Sequence, residues 1–307
     1  MSEGLIVKST GSWYQIENSE GIVIPARATG KLRLRGYNTT NPIAVGDIVE
    51  YKLDAANQDA VIVSVHNRKN YIIRKSNNLS NQQQIIAANL DYTLIVATLA
   101  YPRTSQGFID RILVTSEAYE ITALIMWNKA DLYDVEMLEV ASKYVDIYKK
   151  LGYESALISV KTGQGMPELI EKLQGKTTLI SGHSGVGKSS LMNLLAPNLK
   201  LKTGDISMST MKGKHTTTFA EMHKLNADTR IIDTPGIKDF GLVQMKSEEI
   251  SHYFPEMRQM LGQCRFSNCM HLNEPGCKVI NAVEAGEIDG GRFNSYQGMI
   301  LGEDTHS

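Results

Sequence analysis

The chain has 307 residues, enough for two or three domains of ordinary size. Its 42% hydrophobic and 21% charged content is that of a globular protein, and no apolar run reaches the roughly 18 residues that a membrane span needs. The net charge of −1 argues against an indiscriminate nucleic-acid binder, and the opening MSEGLIVKSTGSW lacks the basic start and apolar core of a secretory signal, so a cytoplasmic location is expected.

From Leu5 to about Val65 the chain reads as short β segments broken by turn residues: LIVKS, WYQIE, GIVIPARAT, KLRLRG, GDIVEYKL and DAVIVSVH. Their length and alternation predict a small antiparallel barrel. Basic residues gather here at Arg27, Lys31, Arg33 and Arg35, then at Arg68, Lys69, Arg74 and Lys75, and later at Lys200, Lys202, Lys212, Lys214 and Lys224. Such groups are as often solvated faces as binding surfaces. Trp13 and Tyr14 are open to two readings, a stacking platform for RNA bases or core residues. The stretch RKSNNLSNQQQ, rich in Ser, Asn and Gln, reads as a polar connector.

Between Asp91 and about Gly241 apolar runs alternate with amphipathic ones. The strands are YTLIVATLA, ITALIMWN, ESALISV, TTLISG and RIIDTPG; helices fit at Phe108–Tyr119, Val135–Leu151, Met166–Leu173 and Lys188–Leu195. This is the pattern of an α/β doubly wound sheet. Beyond about Lys246 come the cysteines and short helical pieces such as VINAVEAGEI. The expected architecture is therefore multidomain: a barrel at 1–68, a linker at 69–90, an α/β domain at 91–242 and a C-terminal, mostly helical domain at 243–307.

The segment Gly182-His183-Ser184-Gly185-Val186-Gly187-Lys188-Ser189 matches G-x-x-x-x-G-K-[ST] in full, after an apolar strand and before a helical run that opens with Ser190. Its glycines let backbone N–H groups converge on phosphate oxygens, and the helix that follows presents its positive end. Lys188 is expected on the β- and γ-phosphates and the Ser189 hydroxyl on Mg²⁺. About forty-five residues on, Asp233-Thr-Pro-Gly236 ends a strand, which sets an acid near the metal's water shell.

Asn128-Lys129-Ala130-Asp131 also closes an apolar strand. A carboxylate at Asp131 accepts from both the ring N–H and the exocyclic amine of guanine, a donor pair that adenine lacks. Asn128 holds the loop and the base, and the Lys129 stem covers the ring face. Ser159-Val160-Lys161-Thr-Gly163, at another strand end, offers a backbone N–H to the guanine carbonyl. Most GTPases place the phosphate motifs first. Here the base motifs precede them, which is the order of a circular permutation, and such cuts are tolerated at surface loops.

Cys264-x₄-Cys269-x-His271-x₅-Cys277 puts three thiols and an imidazole within fourteen residues. With only three cysteines in the chain, this is a poor disulfide framework and a good closed tetrahedral site for one structural Zn²⁺.

The permuted order, the preceding barrel and the cysteine–histidine cluster resemble the ribosome small-subunit-dependent GTPase A (RsgA) family. The specific stretches are GHSGVGKSSL, GKHTTT at Gly213–Thr218, DTPGIKDFGL and CRFSNCMHLNEPGC. The resemblance implies an OB-fold barrel, a permuted GTPase domain and a zinc domain, with a role in late maturation of the small ribosomal subunit and hydrolysis stimulated by that subunit. It implies binding of GTP or GDP and of rRNA. A monomer is the default expectation, since a permuted GTPase flanked by two RNA-facing modules needs no self-association. Without an apolar span no membrane partner is expected. Ile237 stands where many GTPases place a water-orienting Gln, and an alkyl chain cannot orient water. The resemblance points to His215 as the substitute and to Thr217, or its neighbour Thr216, closing on Mg²⁺ and the γ-phosphate. An RNA-binding protein that holds GTP mainly as a conformational ligand is the alternative.

Overall fold

The computed structural model describes residues 1–11, 13–30, 32, 42–54, 59–75, 83–199, 220–233, 242 and 245–302. The chain divides into two compact units: Met1–Leu94, Pro167–Ser181 and Lys188–Val243 form the first, and Ile95–Met166, Gly182–Gly187 and Gln244–Ser307 the second.

In the first unit, β1 (Ser2–Ser9), β2 (Tyr14–Asn18), β3 (Val23–Ala28), β4 (Ile48–Leu53) and β5 (Ala60–Val65) run in the order β1-β2-β3-β5-β4. β4 returns to β1 from Ser2↔Tyr51 to Leu5↔Ile48, so the barrel closes and leaves no edge between those strands. All of its pairings are antiparallel except β3 with β5. This is the OB-type topology. Alternation buries Ile6, Tyr14, Ile16, Ala26, Val49, Tyr51 and Ile62 in the barrel. Tyr14 is therefore core, whereas Trp13 is 54% exposed. Of KLRLRG, only Leu32 lies within the described residues.

The stretch expected to be a connector carries a ribbon of β6 (Tyr71–Lys75) and β7 (Gln83–Ala88). Ile72, Ile73, Ile85 and Ile86 are buried, so two short apolar pairs at its ends outweigh the polar composition. Beyond the ribbon follow β8 (Tyr92–Ala97), α1 (Gln106–Ala118), β9 (Thr122–Trp127), α2 (Val135–Lys150), β10 (Glu154–Leu157), α3 (Met166–Leu173), β11 (Thr177–Ser181), α4 (Lys188–Leu195), β12 (Glu221–Lys224) and β13 (Arg230–Asp233). The helices sit within two residues of where the periodicity places them. Ser105 and Asp134 cap α1 and α2 by accepting from the N–H groups of Phe108 and Met137.

Still in the first unit, β11 lies parallel to β13 and β12 antiparallel to it. The sequence reading missed β12, a four-residue polar strand. It continues into the barrel, where Lys8 of β1 pairs with Glu221. Glu17 of β2 sits beneath this junction and accepts from Lys224 Nζ at 2.8 Å and from Arg230 Nη2 at 3.3 and 3.4 Å. Burial alone would raise the Glu17 carboxyl, but Lys224 and Arg230 together hold it below the ordinary glutamate range.

In the second unit, β10 pairs in parallel with β9, which lies next to β8. The C-terminal segment adds α5 (Pro255–Arg258), α6 (Lys278–Glu284) and α7 (Gly290–Leu301). α7 is fixed to α1 by a fully buried guanidinium. Arg292 donates to Asp110 at 2.6 Å and, through two nitrogens, to Glu256 at 2.8 and 3.0 Å, and its charge stands 4.6 Å from the Phe254 ring centroid. Tyr148 of α2 donates to the same Asp110 oxygen at 2.8 Å. Among the described residues no helix is long and apolar enough to cross a membrane.

Candidate nucleotide site and metal cluster

The end of β9 organises the base side. Asn128 is buried and serves two loops at once: Nδ2 donates to Val186 O at 2.8 Å, and Oδ1 accepts the Val160 N–H at 3.1 Å. One side chain thus sets the spacing between the glycine-rich loop and the SVKTG turn. Gly187 has φ +102 and Gly182 φ +148. A Cβ at the first would strike the Asn128 amide, and one at the second the Val96 carbonyl.

Asp131 is held from the side. Ser159 Oγ donates to its Oδ1 at 2.6 Å while accepting the Thr162 N–H at 3.2 Å, and the exposed Lys161 ammonium lies 3.7 Å from Oδ2. Ala130 is buried and donates its N–H to Ile158 O at 3.1 Å. The Val160 N–H, one of the backbone groups expected for the base, is engaged by Asn128. Lys129 adopts φ +67 and reaches across, donating to Gly185 O at 2.6 Å and to Tyr101 O.

Two supports were not read from the sequence. The buried Tyr133 hydroxyl accepts the Leu99 N–H at 2.8 Å and donates to Asn128 O at 2.8 Å, tying the end of β8 to the base loop. On α1, Phe108 stacks on His183 with centroids 3.8 Å apart. No motif announces either residue, although Tyr133 lies two positions beyond Asp131. Ser184 and Gly185 stay exposed on the same loop and Val186 is buried beneath it.

Lys188, Ser189 and Ser190 open α4 in the first unit, with Asp233 at the end of β13. Burial holds the Lys188 ammonium below the ordinary lysine range, and the Asp233 carboxylate pulls the other way. An ammonium short of solvent in this way gains from an arriving anion. His215, Thr216, Thr217, Gly236 and Ile237 lie outside the described residues. The basic groups that are described are mostly paired with acids. Arg68 holds the buried Asp47 at 2.7 Å through two nitrogens, Lys69 meets Asp91, Arg27 meets Asp54, and Lys224 meets Glu17.

In the C-terminal segment the sulfurs of Cys264, Cys269 and Cys277 and the His271 ring nitrogen all fall within 4.8 Å of one another. Cys264 and Cys277 sulfurs are 3.9 Å apart, and His271 Nδ1 is 3.6 and 3.3 Å from them. A tetrahedron with Zn–S bonds of about 2.3 Å has edges of about 3.7 Å, so this donor set fits a metal ion of that size. Burial first, then the neighbouring Cys277 and Cys264 sulfurs, push the Cys269 thiol up to about 12, a crowding that a cation relieves. The loop is shaped by Glu274, whose carboxylate accepts the N–H groups of Met270, Leu272 and Asn273 at 2.7 to 3.1 Å. Further N–H groups, from Lys278 and Ile280, point at the Cys264 and Cys277 sulfurs at 3.4 and 3.5 Å.

Comparison with known proteins decides the lineage. Residues 65–243 match the sequence model of the RsgA GTPase, and residues 3–62 that of the RsgA N-terminal domain. The chain belongs to the RsgA GTPase family. It is 48% identical over 304 residues to the small ribosomal subunit biogenesis GTPase RsgA of Flavobacterium psychrophilum, covering 98% of this chain and 93% of that one. The Bacteroides fragilis protein of the same name is 47% identical over 298 residues, covering 97% and 96%. Among solved structures, YjeQ from Thermotoga maritima aligns with a TM-score of 0.78 and 35% identity over 100% of this chain and 99% of that one. YloQ, described as a circularly permuted GTPase, aligns at 0.73 with 28% identity over 100% and 96%. As an RsgA-family member the chain is a GTP hydrolase with its motifs in permuted order, and its Cys264/Cys269/His271/Cys277 cluster suits one metal ion.

Proposed function

We propose that this RsgA-family GTPase acts in late maturation of the small ribosomal subunit, in the cytoplasm and as a monomer. In this reading the subunit stimulates hydrolysis, and hydrolysis releases the protein. The observation that carries it is the likeness along nearly the whole chain to relatives named as small ribosomal subunit biogenesis GTPases.

One GTP is held by Asn128, Lys129 and Asp131 at the base and by the loop Gly182–Ser190 at the phosphates. Ser189 and Thr217 would hold Mg²⁺, Asp233 would meet the metal's water shell, and Gly236 completes the nucleotide-binding set. Lys188 draws off charge as the γ-phosphoryl group separates, and His215 orients the attacking water where Ile237 cannot. Without a Gln at that position, intrinsic turnover is slow and waits for the partner. The cluster of Cys264, Cys269, His271 and Cys277 binds Zn²⁺ as a structural ion, because four protein donors leave no open position. The barrel and the zinc segment face rRNA, with the exposed Trp13 available for stacking.

The test is GTP hydrolysis by the purified protein alone, with small subunits, and with large subunits. Stimulation by the small subunit only is the expected result, and loss of that stimulation in His215→Ala supports the role of the histidine. Equal rates in all three mixtures would overturn the proposal.

A further inference from the structure

The loop between β8 and α1 holds an aromatic residue in a conformation that aromatic residues avoid. Tyr101 has φ +62, in the left-handed region where a bulky side chain is a genuine outlier and glycine is the usual occupant. Packing does not account for it, since Tyr101 is 65% exposed and adds little to any core.

The surrounding contacts hold the strained residue in place. Lys129, itself left-handed, donates one ammonium hydrogen to Tyr101 O and another to Gly185 O. Pro102 abuts Gly185, where a Cβ would come within 3.3 Å of the proline ring. Thr98 Oγ1 donates to Pro102 O, and Thr104 closes the loop through its N–H to Thr98 O at 2.8 Å and its Oγ1 from the Thr98 N–H at 3.0 Å. Leu99 is fixed through Tyr133 to Asn128 O. The anchors through Lys129, Gly185 and Tyr133 lead to the base loop or the phosphate loop, and Thr98 and Thr104 brace the loop itself. Strain that persists because the surroundings over-determine it concentrates at ligand sites.

We propose that Tyr101 is a further nucleotide-contacting residue, its ring closing over the base and ribose of the bound guanine nucleotide beside the Lys129 stem. This rests on the reading of Asn128–Asp131 and Gly182–Ser189 as the nucleotide site. The ring presents an apolar, polarisable face to a purine, and the nucleotide gives the exposed aromatic the cover that the protein alone does not. The ring face, not the hydroxyl, does this, so Phe substitutes for Tyr.

The experiment measures GDP affinity and the melting temperature of the nucleotide-free protein for Tyr101→Gly, Tyr101→Asn, Tyr101→Phe and, as a control on the site itself, Asp131→Asn. Gly and Asn both accept the left-handed backbone, so these variants remove the ring without adding strain. The expected result is about tenfold weaker GDP binding for Gly and Asn, the size of one lost base–aromatic stack. Their melting temperatures stay unchanged or rise, and Phe stays near the native affinity. If Gly and Asn bind GDP normally while Asp131→Asn does not, Tyr101 has no such role and the base site stands. If affinity and melting temperature fall together, the ring is a packing residue and the proposal is overturned. If Asp131→Asn also binds normally, the site reading fails and the proposal falls with it.

Discussion

The barrel and the C-terminal segment both attach to the GTPase motifs, but by different physics. The barrel joins through a strand edge: β1 meets β12 at Lys8 and Glu221, and the buried Glu17 takes two cations that themselves stay partly exposed. The C-terminal segment joins through a core. Arg292 is fully buried between Asp110 and Glu256, and four metal-suited donors shape the loop beyond. An edge junction shares its load among backbone hydrogen bonds and partly screened charges. A buried charge cluster concentrates it in one side chain, whose loss strands its partners. The two attachments should therefore respond very differently to single substitutions.

The largest effect should follow metal removal. A chelator, or Cys277→Ser, is expected to abolish hydrogen-exchange protection around Cys264–Ala285 and leave the barrel strands unchanged, since structural Zn²⁺ in small modules contributes on the order of 10 kcal/mol. Loss of protection in both regions would mean that they are not separately supported.

Next comes Arg292→Leu, expected to cost about 3–5 kcal/mol in denaturant melts because Asp110 and Glu256 remain buried without their cation. A cost under about 1 kcal/mol would show that the cluster relaxes or admits water.

Glu17→Gln should be the mildest, about 1–2 kcal/mol at neutral pH. Its pH dependence follows from sign. The folded-state pKa lies below the ordinary glutamate value, so the contribution is complete above that ordinary value and disappears as pH falls through the lower folded value. Melts of native and variant protein across pH 3 to 7 should converge at the acid end. A gap that persists there would assign the cost to packing instead of charge.

How much of this was readable from the chain depends on how local the information is. The phosphate loop, Asn128–Asp131 and the cysteine cluster are legible because their chemistry demands fixed residue types at short fixed spacings. The doubly wound order was legible because buried parallel strands stand out as apolar runs between amphipathic helices. Arg292 was not, since GGRFNSYQGM looks like any surface helix and its partner Asp110 is 182 positions away. The β12 strand, EMHK, is too short and polar to show a period. The ribbon at Tyr71–Ala88 was hidden by the Ser, Asn and Gln between its strands. Arg68 and Lys224 looked like surface charge because a sequence does not say which acid waits across the fold. Tyr101 is held through its own carbonyl by the Lys129 side chain, Tyr133 acts through backbone atoms of Leu99 and Asn128, and no residue pattern records either.

The central claim, that the permuted motifs assemble one guanine site with Asp131 as its selector, is tested most directly by nucleotide preference. Asp131→Asn should lose at least tenfold in affinity for GTP and gain for XTP, whose 2-oxo group accepts from an amide where the guanine amine had donated. Hydrolysis should follow the same exchange. An unchanged preference for GTP in that variant would contradict the account, because the base would then be read somewhere else in the chain.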